Sequence, residues 1–335
     1  MKIIVDAFGG DNAPLEILKG CEMAVKEHDV DILLAGSEEN IRRVAQENGI
    51  SLERMEILDA PDVISMEDHP SELRTTKKNS SLAVAMRALK EGKGDGFVGA
   101  GNTGATLFGA TTIVGRIKGV KRAALAPVVP KTEGVFLLCD SGANADCRPE
   151  MLLQFAKMGS IYMNKVIGCE NPRVGLANVG TEDTKGDALR TETFPLLSAS
   201  KDLNFIGNIE ARDIPFDACD VVVADGFTGN VILKLYEGVA MALMKKIKGV
   251  MTANTKNKLG AAILLKDMKK MAATFDINEY GGAPFLGVSK PVYKAHGSSK
   301  AKTFCNAIGQ LKAFIEADVT GTIAQALAAT ETEAE

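Results

Sequence analysis

The sequence predicts an α/β fold on a mostly parallel sheet, with an antiparallel helix pair projecting from it. Three observations lead there. Short apolar runs are each followed by a turn rich in Gly, Asn, Asp or Thr and then by a helical pattern. Runs such as 220–224, DVVVA, are continuous instead of alternating, which marks strands buried on both faces. Residues 231–275 read as two apolar-striped helices separated by a polar break at 252–255.

Residues 3–5 form the first expected strand, which ends in the turn DAFGGD. Asn12 is placed to cap the next helix and Pro14 suits its first turn; the pattern runs to His28. A strand at 32–35, a helix at 38–48 and a strand at 55–58 follow. The polar stretch 63–79 reads either as a solvated connection or as a flap over a site. Ser80 or Ser81 caps a helix through Leu89, and 96–98 is the next strand. Runs 123–129 and 134–138 are expected to form a hairpin turning at 130–133, an antiparallel excursion in the sheet. Pro149 starts a helix carrying 151–166; then come a strand at 174–178, a helix at 191–197 and short strands at 205–206 and 220–224. The first arm helix stripes Ile232, Leu235, Tyr236, Val239, Leu243 and Ile247, and the second Leu264, Met268, Met271 and Phe275. Residues 279–287 read as a glycine turn, 291–294 as a strand, and Ser299 as the start of the last major helix. An acidic tail at 330–335 is expected to be loose.

The chain is 46% hydrophobic, enough for a large core. No linker-like stretch interrupts it, so 1–330 is read as one domain with 231–275 as its helical arm. A net charge of −4, with 5% aromatics and no Trp, argues against nucleic-acid binding. The six Cys form no CxxC pair, and Met1-Lys2 leads directly into a strand, so reduced thiols in a cytoplasmic protein are expected. No apolar run approaches the ~20 residues of a membrane span.

Seven turns repeat the strand–turn–helix pattern: 9–10, 99–104, 142–146, 180–186, 225–230, 281–282 and 297–299. Such turns aim backbone N–H groups and helix N-termini at a crevice, which suits an anion. Gly99, Gly101 and Gly104 have GxGxxG spacing, but this follows the fourth strand, and Lys121-Arg122 stands where a ribose-binding acid belongs. A nicotinamide cofactor is therefore not signalled. There is no GxSxG elbow, no His/Cys cluster at metal spacing and no Walker loop. Many N–H, Asn, Thr, Ser and Lys donors without a protein nucleophile suit a substrate that brings its own, as inorganic phosphate does. No cofactor and no metal are expected.

The motifs DAFGGDNAP, GAGNTGA, DSGAN, NVGTE, ADGFTGN and YGGAPFLG, in this order over about 1–315, closely resemble the PlsX family of acyl-acyl carrier protein:phosphate acyltransferases. The resemblance implies transfer of a long-chain acyl group from acyl carrier protein to phosphate. The acyl phosphate then passes to a glycerol-phosphate acyltransferase of bacterial phospholipid synthesis. It implies a three-layer fold similar to isocitrate/isopropylmalate dehydrogenases and phosphotransacetylase, a homodimer, and peripheral membrane association. The family motifs put Lys185 and Asn230 at the reacting centre. Gly101, Asn102, Thr103, Asn144, Thr228, Gly229 and Ser298 are candidates for a phosphate cradle, and Asp225 for orienting Lys or N–H groups instead of acting as a base. His296 serves equally as site residue or structural hydrogen-bonder. Alternatives stay open: an exposed loop lysine for Lys185 and a helix cap for Asn230. A phosphotransacetylase taking short acyl-CoA and a non-catalytic carrier-binding or membrane scaffold compete with the whole reading.

Between 234 and 270 the arm carries nine Lys against Glu237 and Asp267. It reads as a dimerisation arm with a solvated edge. A second reading adds a membrane tip of Val250, Met251, Leu259, Ile263 and Leu264 on an anionic lipid surface. The same lysines could recruit an acidic carrier protein.

Overall fold

The computed structural model describes residues 1–274 and 281–333. The elements run β1 (Lys2–Asp6), α1 (Leu15–His28), β2 (Asp31–Gly36), α2 (Glu38–Asn48), β3 (Met55–Asp59), α3 (Ser81–Lys90), β4 (Gly96–Gly99), α4 (Thr103–Gly109), β5 (Ala124–Leu125), β6 (Val128–Pro130) and β7 (Val135–Cys139). They continue α5 (Pro149–Tyr162), β8 (Arg173–Asn178), α6 (Ala188–Ala199), β9 (Asn204–Glu210), β10 (Val221–Val223), α7 (Gly226–Thr252), α8 (Thr255–Thr274), β11 (Gly282–Leu286), β12 (Val292–Ala295), α9 (Ala301–Glu316) and α10 (Val319–Glu333).

The expected single sheet is divided in two. A seven-stranded sheet has the order β3-β2-β1-β4-β12-β11-β5, and a five-stranded sheet the order β6-β7-β10-β8-β9. In the first, β3, β2, β1, β4 and β12 are parallel, and β11 runs antiparallel to β12 and β5. In the second, β7, β10, β8 and β9 are parallel, with β6 antiparallel at the edge. The run 123–129 is shared between the sheets. Ala126 donates its N–H to the Pro284 carbonyl at 3.0 Å, and Pro127, with no N–H to give a ladder, separates β5 from β6. The antiparallel excursion is present, but only its second half forms the hairpin. One core cluster draws on both sheets, including Ile3, Val5 and Val98 from the first and Leu137, Leu176 and Val223 from the second.

Several local expectations are corrected. Asn12 does not cap α1; its amide donates to the Ser298 and Ser299 carbonyls at 3.1 and 3.3 Å. Residues 282–286 are a strand, because Ala283, Phe285 and Leu286 fill the space between β12 and β5; residues 279 and 280 lie outside the described residues. Ser299 is buried two residues before α9 begins and does not cap it. β9 is seven residues long instead of two. The unexpected helix α10 buries Val319, Ile323 and Leu327, a spacing of four, and takes in 330–333 of the expected loose tail.

The helix pair is present, α8 packing back along α7 after a turn at Ala253-Asn254. Phe275 of its expected stripe lies outside the described residues. The α7 stripe does not all face inward. Ile232 and Tyr236 pack on the second sheet, the Tyr236 hydroxyl donating to the Pro130 carbonyl at 2.8 Å. Phe227, Val231, Leu235, Val239 and Leu243, spaced by four, stay 50–68% exposed. The helix outruns the body, so this face stays uncovered among the described residues. Among the described residues, no helix is long and apolar enough to cross a membrane.

Candidate active site

Strands β7, β10 and β8 lie side by side and end on one rim. Asp225, just after β10, caps α7: its carboxylate accepts from the Thr228 N–H at 2.9 Å and the Thr228 hydroxyl at 2.8 Å. Arg190, from α6, donates to the same carboxylate and to the Thr228 hydroxyl. Burial pushes the Asp225 pKa up, but the Thr228 donors and the Arg190 cation outweigh it and hold it below the ordinary value. Asp225 therefore holds an N–H group and a cation, but the cation is Arg190 where a lysine was expected.

The loop after β7 is tied to this cap. Asp140 is buried and accepts from the N–H groups of Leu125, Ala143 and Asn144 at 2.9, 3.1 and 2.7 Å. The Asn144 side chain donates to Asp140 at 2.9 Å and to the Ala123 carbonyl at 2.8 Å. The Asn144 carbonyl accepts from the Gly226 N–H at 2.7 Å. Gly229 lets the α7 backbone rest on the Asp140 carbonyl, which places Asn230 beside Gly142. Asn230 is exposed in the second turn of α7 and is not its cap.

Lys185 lies in the loop after β8. Its carbonyl accepts from the Asn178 amide at 3.0 Å, and its own N–H donates to the Glu182 carbonyl at 3.2 Å. The stem lies against Gly180, the residue is exposed, and its ammonium makes no ion pair among the described residues. The loop is thus anchored by its backbone while the Lys185 cation stays exposed.

The second rim belongs to the larger sheet, where β1, β4 and β12 end. The Asp11 N–H donates to the Gly297 carbonyl at 2.8 Å, and Gly9 packs against the Gly101 backbone. Asn102 caps α4, accepting from the Ala105 N–H at 3.0 Å; its amide also donates to the Ser65 and Met66 carbonyls, both at 3.2 Å. Thr103 opens that helix, where the first N–H groups have no partner within the helix. His296 Nδ1 accepts from the Ser298 N–H at 3.3 Å and lies 2.8 Å from the Ser298 hydroxyl. Lys294, buried behind them, donates to the Ala100 and Ala295 carbonyls. Burial lowers its pKa to about 8 against the pull of Asp6 and Asp11.

The first turns of α7 lie near both rims. Lys234, one turn after Asn230 on α7, acts on both Lys294 and His296, and Glu237 acts on His296. Burial first, then Lys234, pushes the His296 pKa down. Glu237 is itself paired with Lys234 at 2.9 Å.

The predicted residues divide by what their side chains are doing. Among the described residues, Lys185, Asn230 and Thr103 are not tied up by side-chain bonds; Asn102, Asn144, Asp225 and Thr228 are. Gly101 and Gly229 allow backbones to touch. His296 and Ser298 bond to one another and are exposed to the cleft. Sequence reading missed Asp140, Arg190, Lys234 and Lys294. Arg190 and Lys294 lie outside the glycine turns, and their convergence on the rims is a long-range fact.

Removing the Asp225 charge is expected to leave Arg190, 9% exposed, with only the exposed Asp187 carboxylate at 2.9 Å as its ion partner. Asp225→Asn should destabilise the fold by ~2 kcal/mol near neutral pH. The folded-state pKa is depressed, so the deficit should be full above the unfolded carboxylate range of ~4 and shrink as pH falls below it. Denaturant melts of both proteins from pH 7 downward measure this.

Residues 1–322 match the family model described as fatty acid synthesis protein. The chain is 46% identical over 320 residues to a phosphate acyltransferase of Caldanaerobacter subterraneus subsp. tengcongensis, covering 95% of each chain. Its fold is similar to a phosphotransacetylase from Streptococcus pyogenes, with a TM-score of 0.61 at 16% identity and 95% and 94% of the two chains covered. It is also similar to a 4-hydroxythreonine-4-phosphate dehydrogenase from Klebsiella pneumoniae, with a TM-score of 0.50 at 13% identity and 95% and 97% covered. The glycine-rich rims are thus those of an acyl-transferring enzyme of lipid synthesis, and the chain belongs to the phosphate acyltransferase family of fatty acid synthesis proteins.

Proposed function

We propose that the enzyme takes a long-chain acyl group from acyl carrier protein and gives it to inorganic phosphate bound in the cleft. The observation that carries the direct attack is the state of the thiols. Burial pushes up the pKa of all six Cys, Cys147 and Cys219 to about 12 and Cys305 to about 11. None is an activated nucleophile. Phosphate supplies the attacking oxygen: the new bond is P–O–C(=O), the C–S bond breaks, and the thiolate takes a proton from water. With a thiol pKa near ~8.5, the leaving group needs little acid help. Lys185 holds phosphate charge, and Asn230 donates to phosphate or to the carbonyl oxygen as it gains charge. Gly101, Thr103, Thr228, Gly229, His296 and Ser298 line the cradle, and Asn102, Asn144 and Asp225 keep it in shape.

Incubating the enzyme with palmitoyl-carrier protein, with and without phosphate, and following free thiol tests the reaction. Thiol is expected only with phosphate, and mass spectrometry is expected to find no acyl adduct on the protein. Cys147→Ala should keep turnover within about an order of magnitude, since it removes only a weak thiol bond to the Asn144 carbonyl and no nucleophile. An acyl-Cys or acyl-Ser adduct would end this mechanism. The fold likeness to phosphotransacetylase keeps a short acyl-CoA donor as the second reading, and faster turnover of acetyl-CoA than of the carrier thioester would select it.

The core cluster common to both sheets supports one domain over 1–330 with its arm at 231–275. The exposed stripe of Phe227, Val231, Leu235, Val239 and Leu243 supports a homodimer through α7. At the far end of the arm, Val250, Leu259, Ile263 and Leu264 are 51–77% exposed beside Met251, with Lys246, Lys248, Lys256, Lys258 and Lys266 exposed around them. This supports a peripheral tip on anionic lipid, from which product reaches a glycerol-phosphate acyltransferase. Burying one Leu is worth ~1.5–3 kcal/mol, so Leu264→Glu should weaken co-sedimentation with anionic vesicles at least tenfold. Unchanged binding would remove the tip.

A further inference from the structure

A groove outside the cleft has the features of a docking site. Its volume is about 350 Å³, and it is lined by Leu73, Arg74, Lys78, Arg87, Lys90, Glu91, Thr112 and Ile113. Two separate elements bring the cations. Arg74 ends the 3₁₀ turn Pro70–Arg74 and Lys78 follows it, while Arg87 and Lys90 lie in the last turn of α3. Cations in a last helical turn are ordinary partners of the helix dipole. That accounts for Arg87 and Lys90, but not for Arg74 and Lys78 meeting them across a concavity. None of the four is within 4 Å of a carboxylate among the described residues, and the groove's one acid, Glu91, is paired with Lys93 at 2.8 Å. The floor is apolar, with Leu73 buried and Ile113 half-buried. Four unpaired cations over an apolar floor, on a chain of net charge −4, fit a helix that is acidic along its sides and apolar at its centre.

The groove is joined to the cleft by the segment that Asn102 holds. Asn102 binds the Ser65 and Met66 carbonyls, and Pro70 lies against Gly104 in the first turn of α4. From Pro70 to Arg74 is four residues of 3₁₀ helix at ~2 Å each, so about 8 Å separates the α4 end from the groove along this axis. Val63 and Met66, 38% and 64% exposed, stand on the way. A thioester on a flexible arm can cover that span while the carrier body stays outside, with its acyl chain passing apolar side chains.

We infer that this groove seats an acidic helix of the acyl carrier protein, so that Arg74, Lys78, Arg87 and Lys90 determine donor recognition. The inference rests on the carrier thioester being the donor. It gives the lysines of the α7–α8 arm, which surround exposed apolar residues, a different partner.

The test combines Arg74→Glu with Lys78→Glu, and separately Arg87→Glu with Lys90→Glu, none of them in the cleft. Fluorescence anisotropy of labelled carrier protein measures Kd, and thiol release measures KM and kcat. Both double variants are expected to raise Kd and KM for the carrier at least tenfold. The kcat at saturating carrier and vesicle binding should stay unchanged, and the melting temperature should fall by no more than the several degrees expected from reversing two charges at the end of α3. Salt at about 1 M, where the screening length falls to ~3 Å, should weaken wild-type binding and flatten the difference. Unchanged Kd and KM overturn the groove, as does a loss of kcat with Kd intact, or a loss of vesicle binding, which would mark it as a lipid site. If wild type binds carrier but releases no thiol, the donor reading fails while the Kd comparison still decides the groove.

Discussion

Lys185→Ala and Asn230→Ala should each reduce phosphate-dependent thiol release by about 10²–10³-fold, with melting temperatures within a few degrees of wild type. The size follows from what is removed: a donor fixed in advance at a site where charge is bound or develops. The intact fold follows from where the two side chains lie. Both are exposed, and what anchors the Lys185 loop is its backbone, through Asn178 and Glu182. The two losses should differ in kind. Lys185→Ala should raise the KM for phosphate, and Lys185→Arg should recover part of it by restoring charge without the compact ammonium. Asn230→Ala should lower kcat more than it raises KM if the amide serves the oxyanion. Turnover near wild type in both would remove them from the reacting centre, leaving Lys185 as a loop lysine.

Gly229→Ala should be the most damaging single methyl group in the chain. The added carbon would lie 1.9 Å from the Asp140 carbonyl oxygen and 3.0 Å from its carbon, both backbone atoms that cannot turn aside. α7 would have to move away from the 140–144 loop. That shift would break the Gly226 bond to Asn144 and displace Asn230 from Gly142. The expected cost is ~3 kcal/mol or more, at the upper end for overpacking, with activity lost beyond what stability explains. Gly238→Ala is the control in the same helix. Nothing lies within 4 Å of its added carbon, and the helix should gain up to ~1 kcal/mol. Chemical denaturation of both variants measures the contrast, and equal stability would mean that α7 and the loop are not in contact.

The motif GAGNTGA announced a turn and a helix start, and Asn102 caps α4 there. In ADGFTGN the helix begins earlier than its pattern suggested, because Asp225 caps it and Gly226 is already helical. What the motifs did not carry was the division of labour among their polar residues. Asn102 and Asn144 spend side-chain hydrogen bonds on neighbouring loops, and the Thr228 hydroxyl bonds Arg190 of α6 and the Asp225 cap. Arg190 and Lys294 lie outside the turns, and their partners are 35 and 194 residues away in sequence.

Local chemistry in the sequence determined the strands, the turns and most helix starts, because apolar continuity, glycine and capping side chains act within a few residues. Only the tertiary structure decided that there are two sheets, that the start of α7 lies near both rims, and that α7 keeps an apolar stripe exposed. Each depends on which distant backbones meet: Pro127 ending a ladder, Gly229 allowing contact with Asp140, a helix longer than the body it packs on. Such meetings are properties of the packed chain, and no short stretch of it contains them.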